Sequence, residues 1–180
     1  WRKVAPMRFG RYRHNLTVLP DGTVLAVGGS TTSGSGSTTG VLTPEIWNPS
    51  TETWTPMAAM KHARMYHSTS LLLPDGRVLV AGGGRTPGVT NYLSAEIFSP
   101  PYLFKGARPS ITNAPATAQY GQSFTVLTPN AAQINKVALI PLGSVTHTIN
   151  SDQTYVELSF TKTATSLTVT APTNRNILTP

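Results

Sequence analysis

Cysteine is missing from all 180 residues, which excludes a disulfide framework and any thiolate metal or redox site within the chain. Acidic residues are also scarce: seven Asp and Glu stand against fourteen Lys and Arg, a formal charge of +7. A basic excess favours anionic partners in general. Only Arg2, Lys3, Arg8, Arg11 and Arg13 cluster, however, with no basic helix and no aromatic pattern of an RNA-binding sheet, so nucleic acid is not the expected partner. No apolar run approaches the roughly eighteen residues of a membrane-spanning helix, and no membrane partner is expected. The chain opens Trp1-Arg2-Lys3 without the apolar stretch of a signal peptide, so any leader would lie upstream.

What is present is turn-dense. Fifteen glycines and fifteen prolines with 39% hydrophobic residues favour an all-β chain. An internal repeat organises the first half: His14 to Gly29 recurs as His67 to Gly83, displaced by 53 residues at the histidine (14 to 67) and by 54 from the Pro-Asp-Gly turn (20 to 74). Each copy reads as an apolar strand, a Pro-Asp-Gly hairpin turn, a second apolar strand and a Gly-Gly pair. Pro44-Glu45-Ile46-Trp47 and Ala95-Glu96-Ile97-Phe98 supply a third strand, and Trp54-Thr55-Pro56-Met57 marks a fourth. A period near 50 with four strands and Gly-Gly is the kelch signature of a β-propeller blade. Residues 8 to 98 are therefore expected to form two four-stranded blades, with Trp1 to Met7 as the last strand of a preceding one. Two blades and a remnant cannot close a ring. The missing blades are expected from upstream sequence or another chain, and the isolated piece is expected to self-associate.

The repeat stops at Ser99-Pro100-Pro101-Tyr102-Leu103-Phe104. Beyond it, Ser123 to Leu127, Lys136 to Ile140, Tyr155 to Phe160 and Ser166 to Thr170 read as short, regularly spaced strands of an immunoglobulin-like β-sandwich. The expected fold class is thus all-β: a partial kelch propeller over residues 1–100, then a sandwich domain over 101–180 that looks cut short at its carboxy terminus.

Blades, then a Pro-Pro-Tyr-Leu linker with Ala107-Arg108-Pro109, then Gly143-Ser144-Val145-Thr146-His147-Thr148, resemble the end of the galactose oxidase and glyoxal oxidase family of copper-radical oxidases, over nearly the whole chain. The family's sandwich is an early-set domain. The resemblance implies that His67 and His147 are equatorial copper ligands and that Tyr66 is the axial tyrosine and the catalytic base. Imidazole nitrogens and a phenolate oxygen suit Cu(II). Two nitrogens on one ion lie within about 4 Å of each other, so His67 and His147 must meet, and Tyr66 must join them. Adjacent residues of a regular strand face opposite ways, so Tyr66 and His67 require an irregular backbone. The family's radical is a tyrosine linked to a cysteine; without cysteine this chain cannot form it, and Tyr12 is out of register to replace Tyr66.

The implied parent enzyme oxidises a primary alcohol, aldehyde or carbohydrate, reduces O2 to hydrogen peroxide, and is secreted or extracellular. The other reading from these residues is a non-catalytic carbohydrate-binding or protein-interaction module, since fold alone does not set function. His14 reads as pocket lining or a plain strand-start residue, His62 as a solvated loop residue, and Ser30 to Gly40 as a flexible loop. Asn15-Leu16-Thr17 is a glycosylation sequon at a strand start.

Overall fold

A computed structural model describes residues 1–33, 39–84 and 90–177. The middle of the Ser30 to Gly40 loop lies outside the described residues. The fold is all-β with two single-turn 3-10 segments, Pro101–Phe104 and Ala131–Gln133, and no helix long and apolar enough to cross a membrane among the described residues.

The first repeat forms an antiparallel sheet of β1 (Asn15–Val18), β2 (Val24–Val27), β3 (Glu45–Asn48) and β4 (Thr53–Pro56) in that order. The second forms β5 (Ser68–Leu72), β6 (Val78–Gly82) and β7 (Ala95–Phe98). The remaining strands are β8 (Ser123–Leu127), β9 (Val137–Leu139), β10 (Val145–Thr146), β11 (Ile149–Asn150), β12 (Val156–Leu158), β13 (Phe160–Lys162) and β14 (Ser166–Thr170).

Both repeats turn by the same chemistry. Gly22 N–H donates to Leu19 O at 2.9 Å and Gly76 N–H to Leu73 O at 2.9 Å, with φ of +84° and +85° at the two glycines. Proline pre-sets the first turn position, and glycine takes the left-handed position that closes a three-residue hairpin loop. The apolar strands then stack Leu19, Leu25, Val27, Ile46, Val78 and Val80 into one core. Emptying such a site, as in Leu25→Ala, costs about 2–5 kcal/mol.

Two expectations fail here. The second repeat has three strands rather than four among the described residues, because after β7 the chain enters the Pro100-Pro101 linker, whose prolines cannot donate to a ladder. Residues 1–7 form no strand; Ala5 instead accepts a bond from Trp54 Nε1 at 3.0 Å, and Arg2 pairs with Glu52.

The chain divides into two compact units. One comprises residues 1–104 together with the excursion 142–153, which carries the β10–β11 hairpin. The other, 105–141 with 154–180, pairs β13-β14-β8 in one sheet and β12-β9 in a second. Its strands alternate as a half-buried strand should, with Leu167 and Val169 inward beside Val126, Val156 and Leu158.

Within the first unit β1 and β5 run side by side, joined at the repeat spacing. Asn15 Nδ2 donates to Ser68 Oγ at 2.9 Å, and the Thr17 and Ser70 hydroxyls lie 2.7 Å apart, all four residues buried. The β10–β11 hairpin packs on these two strands, β11 against β1 and β10 against β5. Gln153 fastens it by accepting the Val18 N–H at 2.6 Å and donating to Leu16 O at 3.4 Å.

Candidate metal centre

Tyr66 and His67 are the two central residues of a tight turn, Met65 to Ser68, closed by Ser68 N–H to Met65 O at 2.9 Å. His67 occupies the third position at φ +64°, where a turn of this kind ordinarily calls for glycine or asparagine. The turn removes the strand alternation that would have sent the two side chains apart. Their rings stack, with centroids 3.8 Å apart. The preceding Arg64 anchors the turn: its guanidinium is fully buried and donates to Gly82 O, Ser94 O, Ser94 Oγ and Glu96 Oε1. Gly28 makes room for it, since a Cβ there would lie 2.1 Å from Arg64 O.

His147 sits at the tip of the β10–β11 hairpin. His147 and Thr148 form its two-residue turn with φ of +51° and +67°, the doubly left-handed pattern that sequences usually meet with Asn-Gly. The hairpin delivers the imidazole to the Tyr66–His67 turn: the His67 and His147 centroids are 5.2 Å apart, nearly perpendicular at 72°, and Tyr66 and His147 are 5.8 Å apart. Residues eighty positions apart thus converge.

The ring nitrogens are differentiated. His67 Nδ1 is 3.0 Å from the Gly84 carbonyl, which can only accept, so Nδ1 carries the proton and Nε2 keeps its lone pair. His147 Nδ1 is 2.8 Å from Thr146 Oγ1, which leaves its Nε2 clear of that contact. Two imidazoles on one ion have centroids from about 4.5 Å apart when cis to about 6.3 Å when trans, for bonds near 2 Å. The observed 5.2 Å falls in that window. Two nitrogens plus a phenol oxygen is a donor set suited to Cu(II). Among the described residues no group of three or more His, Cys, Asp or Glu gathers as a cage.

Sequence reasoning did not find the groups that support these three. The Gly84 carbonyl and Thr146 hydroxyl orient the imidazoles, and Arg13 lays its guanidinium over the Tyr66 ring, 4.7 Å from the centroid. Arg13 was findable, because an offset of 53 from Tyr66 lands on it. His14 stands apart at the start of β1, half-buried, its pKa lowered by burial and by the charge of Arg11 against an opposing bond to the Arg11 backbone. His62 is not simply solvated: its ring packs 4.9 Å from Tyr92, and its N–H donates to Glu96. The sequon is closed, since Asn15 is 2% exposed and the nitrogen that would carry a glycan donates to Ser68.

Comparison with known proteins identifies the family. Residues 1–102 match the family model "Glyoxal oxidase N-terminus", and residues 108–180 match "Galactose oxidase-like, Early set domain". A galactose oxidase of Gibberella zeae is 38% identical over 161 residues, covering 85% of this chain and 23% of that protein. The aldehyde oxidase GLOX of Vitis pseudoreticulata is 31% identical over 178 residues, covering 87% of this chain and 34% of its own length. The chain therefore spans 23% to 34% of the length of these two relatives. A solved structure described as a novel fungal alcohol oxidase of the AA5 family, in complex with copper, superposes with a TM-score of 0.89 at 30% identity, over 98% of this chain and 39% of the other. With one family model spanning more than half of its residues and a second most of the remainder, the chain belongs to the galactose oxidase and glyoxal oxidase family.

Proposed function

We propose that this chain carries the copper-binding part of a copper-radical oxidase, a secreted enzyme that converts a primary alcohol or aldehyde to its oxidised product while O2 becomes hydrogen peroxide. The observation that carries the reading is the convergence of the Tyr66, His67 and His147 rings, with His67 Nδ1 on the Gly84 carbonyl so that its Nε2 remains for a metal, and His147 Nδ1 beside the Thr146 hydroxyl. Bound copper would supply one-electron redox chemistry there. His67 and His147 hold the ion, oriented by Gly84 O and Thr146 Oγ1. Tyr66 would complete the donor set, and its oxygen, as the phenolate, would take the proton that a substrate hydroxyl releases. Two electrons and two protons leave the alcohol, or the hydrate that an aldehyde forms with water, and reappear in the peroxide. A tyrosine–cysteine radical, the second electron acceptor of the resembled family, needs a cysteine from outside these 180 residues.

The test is Cu(II) titration of the protein followed by electron paramagnetic resonance. A single type-2 signal with nitrogen hyperfine structure is expected. His67→Ala and His147→Ala should each weaken binding by about 100-fold or more, and Tyr66→Phe by about tenfold, as loss of one imidazole or one phenol donor implies. Unaltered copper affinity in both histidine variants would discard the metal site and leave a binding module in its place.

A further inference from the structure

The β10–β11 hairpin brings His147 to the ring cluster, yet it has little of its own to keep it there. Each strand is two residues long, Val145 and Thr146 against Asn150 and Ile149, and none of the four is buried. A two-stranded hairpin standing alone is marginal in water. Its turn works against it as well, because His147 and Thr148 hold φ of +51° and +67°, a left-handed conformation that such side chains keep only where the surroundings impose it. The hairpin therefore takes its place from what it docks on, β11 against β1 and β10 against β5. With so little apolar surface covered, polar contacts carry the docking.

Those contacts run through one side chain. Gln153, half-buried, is the last residue of the excursion 142–153 and follows β11 closely. β1 is the end strand of its sheet, and the peptide groups of Leu16 and Val18 share one edge of it, since residues two apart in a strand repeat their orientation. Gln153 Oε1 accepts the Val18 N–H at 2.6 Å and Nε2 donates to Leu16 O at 3.4 Å, so a primary amide stands where the peptide group of a further strand would. The same amide reaches both arms of the hairpin. Asn150 Nδ2 lies 3.5 Å from Gln153 Oε1, and Asn150 Oδ1 accepts the Ser144 N–H at 3.2 Å, just ahead of β10. Gly143 leaves room for this, because a Cβ there would lie 2.8 Å from Asn150 Nδ2. The bond to Val18 is the shortest of the set, which puts most of the fastening on the acceptor oxygen of Gln153.

We propose that Gln153 is a positioning residue for the metal centre: by accepting the Val18 N–H it fixes the hairpin on β1 and so holds the His147 ring 5.2 Å from that of His67 and 5.8 Å from that of Tyr66. The effect on a metal rests on the copper-site reading, whereas the effect on His147 does not. Two variants separate the bonds. Gln153→Met keeps the length of the side chain and loses both polar contacts with β1, while Gln153→Glu keeps an oxygen for the Val18 N–H. In Cu(II) titrations of the protein followed by electron paramagnetic resonance, Gln153→Met is expected to weaken binding about tenfold or more, the range for losing a group that orients a ligand. Gln153→Glu should recover most of that loss. In a His147→Ala background Gln153→Met should change copper affinity no further, because its effect passes through His147.

Three results overturn the proposal: unaltered copper affinity in Gln153→Met, an equal loss with and without His147 (a general effect on stability), or a Gln153→Glu protein as weak as Gln153→Met. Gln153→Asn, which keeps the amide but is one methylene short of Val18, gives the same comparison where the Met variant does not fold. A second arm needs no metal. In nuclear Overhauser spectra of the metal-free protein, cross-peaks between Tyr66 and His67, whose rings are 3.8 Å apart, should survive in Gln153→Met or Gln153→Asn, while those between Tyr66 and His147 fade. A wild type that binds no copper removes the oxidase reading only. The positioning role then stands if the Tyr66–His147 cross-peaks depend on Gln153 and falls if they do not.

Discussion

At the scale of single residues, the site is built where the backbone is least comfortable. Among the described residues only Arg13, Glu52, His67, His147 and Thr148 are non-glycines with positive φ, and four of these five lie at or beside the ring cluster. Glycine or asparagine would hold the same turns with less strain. Replacing His147-Thr148 by Asn-Gly should therefore stabilise the hairpin by about 1 kcal/mol, within the range for relieving a left-handed side chain. Copper binding should disappear in the same variant. Thermal unfolding and a copper titration on one preparation check both; a variant less stable than the parent would show that these dihedrals carry no strain. Tyr66, His67 and His147 were legible in the sequence because motif and order survive there. The means of joining them was not, since nothing in Tyr-His or His-Thr announces a left-handed turn. Gly84 acts through its carbonyl, which every residue has.

At the scale of elements, each sheet is pinned by an arginine that enters from the segment ahead of its first strand. Arg11 donates to Gly28 O, Thr43 O and Glu45 Oε2, and Arg64 repeats the pattern on Gly82 O, Ser94 O and Glu96 Oε1. The two clamps differ in burial. Arg11 and Glu45 are both fully buried, whereas Glu96 is 26% exposed and also accepts the Lys61 and His62 N–H groups. Removing one partner of a buried pair strands the other charge and costs about 3–5 kcal/mol. Arg11→Met should thus cost more than Arg64→Met if the stranded glutamate dominates, because Glu45 keeps only the Arg8 N–H while Glu96 keeps water and two amides. Urea unfolding of both variants decides it, and the reverse order would mean that the lost backbone bonds outweigh the carboxylate. The strands, Pro-Asp-Gly turns and Gly-Gly pairs were legible from periodicity and turn chemistry. The arginine clamps recur at the same spacing of 53 and still went unread, because arginine in a turn-rich segment is ordinarily a surface residue. The absent fourth strand of the second sheet was hidden because a repeat invites completion, while the prolines that end it belong to the next segment.

At the scale of the whole molecule, the linker and both domain types were legible as composition shifts. No composition shift marks the excursion 142–153; a sandwich-domain loop carrying His147 to Tyr66 and His67 was implied by the family resemblance alone. Two partly buried groups of the first unit, His14 and Glu96, contribute to the protein's response to acid. Burial and the Arg11 charge lower the pKa of His14 from its ordinary 6.5, so the folded imidazole resists a proton that the unfolded chain accepts. Below pH 6.5 the unfolded state therefore binds more protons, and stability falls as pH falls. Glu96 acts lower. Burial alone would raise its pKa, but the Lys61 and His62 N–H groups and the Arg64 guanidinium outweigh it and hold the pKa below 4.5. The stability that Glu96 contributes is present above its unfolded pKa and lost as pH drops through its folded value. The metal-free protein should accordingly lose urea resistance in two stages on acidification. The first, just below pH 6.5, should vanish in His14→Gln, which cannot titrate. The second, below pH 4.5, should persist in His14→Gln and shrink in Glu96→Gln, leaving the part that Glu52 contributes through its pair with Arg2. Urea midpoints measured from pH 8 to pH 3.5 in the three proteins separate the stages, and an unchanged slope near pH 6 in His14→Gln would assign the first loss to another histidine.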